Sequence, residues 1–181
     1  KLHRPEYLDL DPHKRIVQKA VDEIVLAMSE RQSTSLSYET AASVVNGLLG
    51  TSSYEKSLLK HLISEGLLSL DMDYEQGEEP SECVRFAYER FADHMLVDRL
   101  LDQHLCLDHP EESFLDDAPL GVIIKDEVAG WMNRGLIEAL LIQVPERMNR
   151  ELMDVAPRCA DLHSVRECFV ESLVWRKRDA F

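Results

Sequence analysis

The hydrophobic residues of this chain change their period twice, and that change limits its possible folds more than any other feature. Ile16, Ala20, Ile24 and Met28 recur every four residues, with Val17, Val21 and Val25 beside them. One face of a long helix is therefore apolar. Asp11 suits its N-cap and Pro12 the first helical position. The polar run from Glu30 to Ser35 ends it. Ser37 then heads a second helix with Tyr38, Ala41, Ala42, Val45, Leu48 and Leu49 on its buried face, and Gly50 is a natural stop. A third helix carries Tyr54, Leu58, Leu59, Leu62 and Ile63 and stops at Gly66. Past Gly66 the period falls to two. Leu68, Leu70 and Met72 alternate with Ser69, Asp71 and Asp73, and Val84, Phe86 and Tyr88 alternate after an acidic stretch with Gly77 and Pro80. From Phe91 to Leu105 the helical period returns.

Three helices followed by a two-stranded hairpin is the order of a winged helix-turn-helix. The alternation predicts a hairpin over 67–88 with Leu68, Leu70, Phe86 and Tyr88 turned inward. An acidic loop follows from Asp108 to Pro119. The rest reads as helices near 121–133, 135–143, 149–154 and 162–176, with breaks at Pro145 and Pro157. The expected fold is mainly α: a winged helix with a long N-terminal helix over 1–107, then a helical region over 108–181. That region is a bundle or the start of a helical repeat array.

Charge narrows the function classes. Asp and Glu number 34 against 20 Lys and Arg, a net charge of −14. Residues 71–127 alone hold 17 acidic and 4 basic residues. Such a surface repels a phosphate backbone and an anionic membrane, because affinity for either comes largely from phosphate neutralisation. Neither DNA nor a membrane is an expected partner. The third helix, which would read a major groove, has Lys56, Lys60 and His61 but also Glu55 and Glu65, and the hairpin that would flank it is acidic. No apolar run approaches the ~18 residues of a membrane span. Cys83, Cys106, Cys159 and Cys168 form no C-x-x-C pair, which suits reduced cytoplasmic thiols. Starting at Lys1, the chain reads as a segment excised from a longer protein.

No motif for chemistry stands out. The phosphate-binding loop G-x-x-x-x-G-K-[ST], the nucleophile elbow G-x-S-x-G and the zinc motif H-E-x-x-H are absent from the sequence. Asp71, Asp73, Glu75 and Glu82 imitate a calcium loop, but Gln76 occupies the position that needs glycine, and the flanks read as strands. Cys106 with His109, and Cys159 with His163 and Cys168, lack regular zinc spacing. His94, Asp98 and Asp102 lie one helical turn apart and read as a solvated helix face. The expectation is no enzyme, no catalytic residue, no metal ligand and no cofactor in this segment.

Residues 84–101, VRFAYERFADHMLVDRLL, resemble the strand-to-helix signature of STAND-class signalling ATPases. Tyr88-Glu89-Arg90-Phe91-Ala92-Asp93-His94 is similar to the Y-E-R-F-x-D-H of large bacterial members, including the antiviral AVAST type. Gly135–Arg147 and Glu171–Arg176 look like the same proteins. In the NACHT branch, the winged helix that follows the ATPase core often ends in F-x-H, whose His faces the nucleotide. Tyr88 stands at that place here, a departure from the pattern. The resemblance implies a non-catalytic regulatory segment that couples nucleotide state to a helical sensor. It also implies ATP and Mg in a parent protein, an upstream ATPase core in the same chain as partner, and a possible protein ligand. Tyr88, Arg90, Asp93 and His94 are the candidate interdomain contacts. Two other functions fit the residues: a winged-helix transcription regulator, and a helical scaffold binding a basic protein through residues 71–127.

Overall fold

A computed structural model describes residues 15–49, 57–73 and 80–176. The expected roles of Asp11, Pro12, Gly50, Tyr54 and the hairpin tip at 74–79 lie outside these residues. The fold is mainly helical, with one small antiparallel sheet. It divides into two compact units, Lys1–Ala92 and Asp93–Phe181. The expected domain division was later, at 107/108.

In the first unit, helix α1 (Ile16–Arg31) buries Ala20, Val21, Ile24, Val25, Ala27 and Met28. This is the apolar face expected from the sequence. Gln32 ends the helix in the left-handed region at φ 49°, and its N–H bonds back to the last turn. Strand β1 (Leu36–Ser37) leads straight into α2 (Tyr38–Gly47), which is capped as expected: the Ser37 side chain accepts from the Thr40 N–H. Ala41 and Val45 are its buried residues. Helix α3 (Leu58–Ser64) starts at the cap Ser57 and buries Leu58, Leu59 and Leu62. Asn46 ties α2 to α3, because its Oδ1 accepts from the Ser57 hydroxyl (3.1 Å) and the Leu59 N–H (3.3 Å). Gly66, at φ 71°, turns the chain into the sheet, a conformation open to glycine at little cost.

Strands β2 (Leu68–Asp73) and β3 (Ser81–Phe86) pair antiparallel, with Leu68 opposite Phe86 and Leu70 opposite Val84. The sheet has three strands, not the two expected, in the order β1-β3-β2. Leu36 pairs with Val84 across the other side of β3. A two-residue strand is too short to carry any period, so the sequence pattern does not reveal it. Leu68, Val84 and Phe86 are buried as an inward face requires. Leu70 and Tyr88 are not: they are 46% and 70% exposed, which corrects the expectation that both face the core. Leu70 lies on an edge strand whose burial stops at Leu68. Tyr88 lies beyond the end of β3, where alternation no longer sets direction.

Helix α4 (Glu89–His104) follows, and its segment in the second unit buries Leu96, Val97, Leu100 and Leu101. The expected acidic loop is ordered. It holds a 3-10 turn at Pro110–Phe114 with Phe114 buried, and the Cys106 N–H donates to the Ser113 hydroxyl at 2.9 Å. Short helices α5 (Pro119–Ile123) and α6 (Glu127–Met132) lead to α7 (Arg134–Met148), the central helix of this unit. Pro145 does not break α7, contrary to expectation. It removes one hydrogen bond, yet it is buried beside Val144 and the last turn closes beyond it with Asn149 donating to its carbonyl. Helix α8 (Leu152–Val155), a 3-10 turn at Pro157–Asp161 and α9 (His163–Ser172) complete the unit. The Glu127 carboxylate accepts from the His163 and Ser164 N–H groups, both at 2.9 Å. This supplies acceptors and negative charge to the start of α9.

Among the described residues, no helix is long and apolar enough to cross a membrane.

Candidate functional site

The four candidate residues divide between the two units. Tyr88 and Arg90 line an open groove of about 410 Å³ in the first unit, together with Ser69, Asp71, Arg85 and Glu89. Two arginines are balanced there by two carboxylates. The Arg85 Nε is buried without a hydrogen-bond partner among the described residues, and Asp71 stands 3.9 Å from it. The floor of the groove is firm, because buried Phe86 packs edge-on against Phe91 at 5.8 Å and 72°. The Tyr88 ring projects into solvent. It is available for a contact and makes no part of the core.

Asp93 and His94 belong to the second unit, at the side of α7. Asp93 lies against Gly135 in the first turn of α7: a Cβ on Gly135 would stand 2.7 Å from Asp93 Cγ and closer still to Oδ2. A carboxylate near a helix N-terminus is electrostatically favoured. The Gln143 side-chain amide donates to the His94 carbonyl at 2.9 Å and lies 3.3 Å from His94 Nδ1.

One turn further along each helix stands a cluster that the sequence did not reveal. The Arg147 guanidinium donates to Asp98 Oδ1 (2.5 Å), the Asp98 carbonyl (3.0 Å) and Asp102 Oδ1 (2.6 Å). Asp98 and Asp102 are exposed, but they are not merely a solvated face, since together they grip one arginine of α7. Burial pulls the Arg147 guanidinium down, and its bonds to Asp102 and Asp98 more than offset this, so its pKa is raised overall. An open groove of about 540 Å³ runs beside these residues, lined by His94, Met95, Asp98, Gln143 and Arg147. Gln143 and Arg147 lie four residues apart in α7. Their spacing of one helical turn, matched by His94, Asp98 and Asp102, was the available signal. Pairing across 45 to 49 residues was not.

Two further arginines are structural. Arg176, whose side chain is 1% exposed, grips Glu151 with two bonds of 2.6 and 2.9 Å and stacks over Phe169 at 5.0 Å. Arg158 pairs with Asp116 and donates to the carbonyls of Phe114 (2.9 Å) and Gly121 (3.3 Å).

Cys159 and Cys168 are buried, and burial pushes each thiol up to about 11. A thiol so raised is almost wholly protonated at neutral pH and is a poor nucleophile or metal ligand. Cys106 is exposed. His163 stacks edge-on against Trp131 at 6.1 Å and faces Glu167 at 3.2 Å.

No family model, curated protein or solved structure matches the chain.

Proposed function

We propose that this chain is the winged helix and first helices of the sensor array of a STAND-type signalling ATPase, a regulatory and non-catalytic segment. The observation that carries the reading is the sheet order β1-β3-β2, built from helix, strand, two helices and two strands. A short strand between the first two helices, paired to the outgoing strand of the hairpin, supports the winged-helix part of this reading. The stretch Tyr88–His94 that resembles STAND proteins begins two residues after the end of that strand at Phe86, and Tyr88 and Arg90 are exposed there. On this reading the ATPase core, with its ATP and Mg, lies upstream in a cytoplasmic parent chain. The exposed junction then meets the core in one nucleotide state and leaves it in another.

The edge of the hairpin speaks for a protein contact over a DNA contact. Asp71 and Asp73 lie on the outer strand, and the described part of α3 offers only Lys60 and His61 as basic groups. Hydrogen exchange on the parent protein tests the proposal. Backbone amides of residues 84–94 should be more protected with ADP than with a non-hydrolysable ATP analogue. Equal protection in the two states, or a parent chain with no phosphate-binding loop before residue 1, would remove the reading.

A further inference from the structure

The outer edge of β2 carries a row of backbone groups that point away from β3, between two kinds of side chain. The Ala87 N–H donates to the Leu67 carbonyl at 3.0 Å, so this opposed pair is hydrogen-bonded. Opposed pairs in an antiparallel ladder alternate. Ser69, Asp71 and Asp73 therefore bond to β3, while Leu68, Leu70 and Met72 turn their N–H and C=O groups outward. One observation checks this independently: the Met72 N–H donates to Asp71 Oδ1 at 2.8 Å, which an amide engaged in the ladder would not do. The Leu70 N–H and C=O and the Met72 C=O meet no partner among the described residues.

The side chains on this edge follow a simple alternation. Leu70 and Met72, 46% and 38% exposed, share one face. Asp71 and Asp73 occupy the other, with the Asp71 carboxyl largely in solvent. Such an edge would invite pairing with a second copy of itself, and natural sheets commonly suppress this with charge. Two β2 strands paired edge to edge would bring four carboxylates together, so a second copy is a poor occupant. The same carboxylates favour a strand of opposite charge.

We infer that the β2 edge is a docking site for an extended segment of a protein partner that alternates basic and apolar residues. The incoming strand would extend the sheet to four strands, as in β-augmentation. Its backbone would pair with Leu70 and replace the Asp71 carboxylate at the Met72 N–H. Its apolar side chains would cover Leu70 and Met72, and its lysines or arginines would meet Asp71 and Asp73. The inference does not depend on the ATPase reading, since it uses only the sheet edge.

The test titrates the isotope-labelled 181-residue chain with a capped peptide of alternating lysine and valine, against a control of alternating glutamate and valine. The lysine peptide should bind saturably, shifting the amides of Leu70 and Met72 and slowing their exchange. Leu70→Pro removes an outward N–H and no ladder bond, a substitution that edge strands tolerate. It should weaken binding by about tenfold, the effect of losing roughly one backbone hydrogen bond. Should Leu70→Pro perturb the fold, Asp71→Asn with Asp73→Asn serves instead. That double variant should weaken binding at low salt and differ little from wild type at 1 M salt. Absence of saturable binding overturns the proposal, as does equal binding of the glutamate peptide. Shifts confined to residues outside β2 would show generic attraction to an acidic surface and would also overturn it. So would dimerisation of the chain through β2.

Discussion

Gly121→Ala should destabilise the second unit by about 3 kcal/mol or more. Helix α5 crosses the backbone at Phe114–Leu115 so closely that a Cβ on Gly121 would stand 2.6 Å from the Leu115 carbonyl carbon and 2.8 Å from the Phe114 oxygen, and closer still to the Leu115 oxygen. Inserting one methyl into a packed core typically costs about 1–3 kcal/mol. The upper end applies here because every obstacle is main chain and cannot change rotamer. Moving α5 aside would also stretch the Arg158 bond to the Gly121 carbonyl, already 3.3 Å, and an intramolecular hydrogen bond contributes about 0.5–1.5 kcal/mol. Urea unfolding followed by tryptophan fluorescence suits the test, since Trp131 and Trp175 both belong to the second unit. With slopes of about 1–3 kcal/mol per molar urea, the midpoint should fall by roughly 1–3 M. Gly130→Ala is the comparison. Its obstacle is the Ser164 side chain, with Cβ at 3.0 Å and Oγ nearer. Ser164→Ala should therefore restore part of the stability lost in Gly130→Ala, whereas no side-chain replacement should rescue Gly121→Ala. A Gly121→Ala midpoint within error of wild type would refute the close crossing.

Phe86→Ala and Tyr88→Ala should separate sharply in circular-dichroism melts. Phe86 is 2% exposed, and its truncation should cost about 3–5 kcal/mol. Tyr88→Ala should stay within about 0.5 kcal/mol, and a large loss there would mean that the ring is buried after all. Arg147→Gln should cost about 1–2 kcal/mol, because its two partners are exposed pairs worth roughly 0.2–1 kcal/mol each and its bond to the Asp98 carbonyl is lost too. Double-mutant cycles with Asp98→Asn and Asp102→Asn should show coupling that shrinks in 1 M salt, and zero coupling at low salt would deny the grip. A thiol reagent should modify Cys106 at once, and Cys83, Cys159 and Cys168 only as the chain unfolds. Cys159 and Cys168 titrate higher when folded, so the unfolded chain loses their protons first. The stability they contribute is full below about pH 9 and falls as pH rises toward 11. Cys168→Ala should flatten that decline, and an unchanged slope would contradict the raised values.

Features set by neighbours in sequence were legible, and features set by distant packing were not. The face of α1, the buried Ala41 and Val45 of α2, the Ser37 cap and the inward Leu68 and Phe86 follow from local signals, whereas Tyr38, Ala42, Leu48 and Leu49, expected on the same face of α2, are only half-buried. Leu70 has the same spacing as Leu68 but fails to be buried, because exposure on an edge strand depends on what covers it. Strand β1 is two residues long and exists only because β3 pairs with it. Pro145 carries a strong local signal to stop a helix, overridden where α7 is buried along most of its length. In the candidate site, the positions of Tyr88, Arg90, Asp93 and His94 came from a resemblance. The grip of Arg147 on Asp98 and Asp102 needed the fold, since nothing in either helix names its partner.

The segment after α4 has the composition of a dispensable loop, and its bonding contradicts that composition. Between Leu105 and Ala118 the chain is held by the Ser113 hydroxyl, by Arg150 on Glu111, by Arg158 on Asp116 and the Phe114 carbonyl, and by the close passage of Gly121. Sites that accept proteolytic nicks, inserted tags or relocated termini are those whose backbone is exposed and unbonded. This acidic stretch fails that condition: the Glu112 and Leu115 N–H groups donate to the His109 and Glu112 carbonyls, the Phe114 carbonyl accepts from Arg158, and Ser113 and Phe114 are buried. Its charge keeps it wet while Arg150 and Arg158, from the turns on either side of α8, keep it in place. A protein engineer choosing where to open this chain should therefore pass over the stretch that looks most permissive.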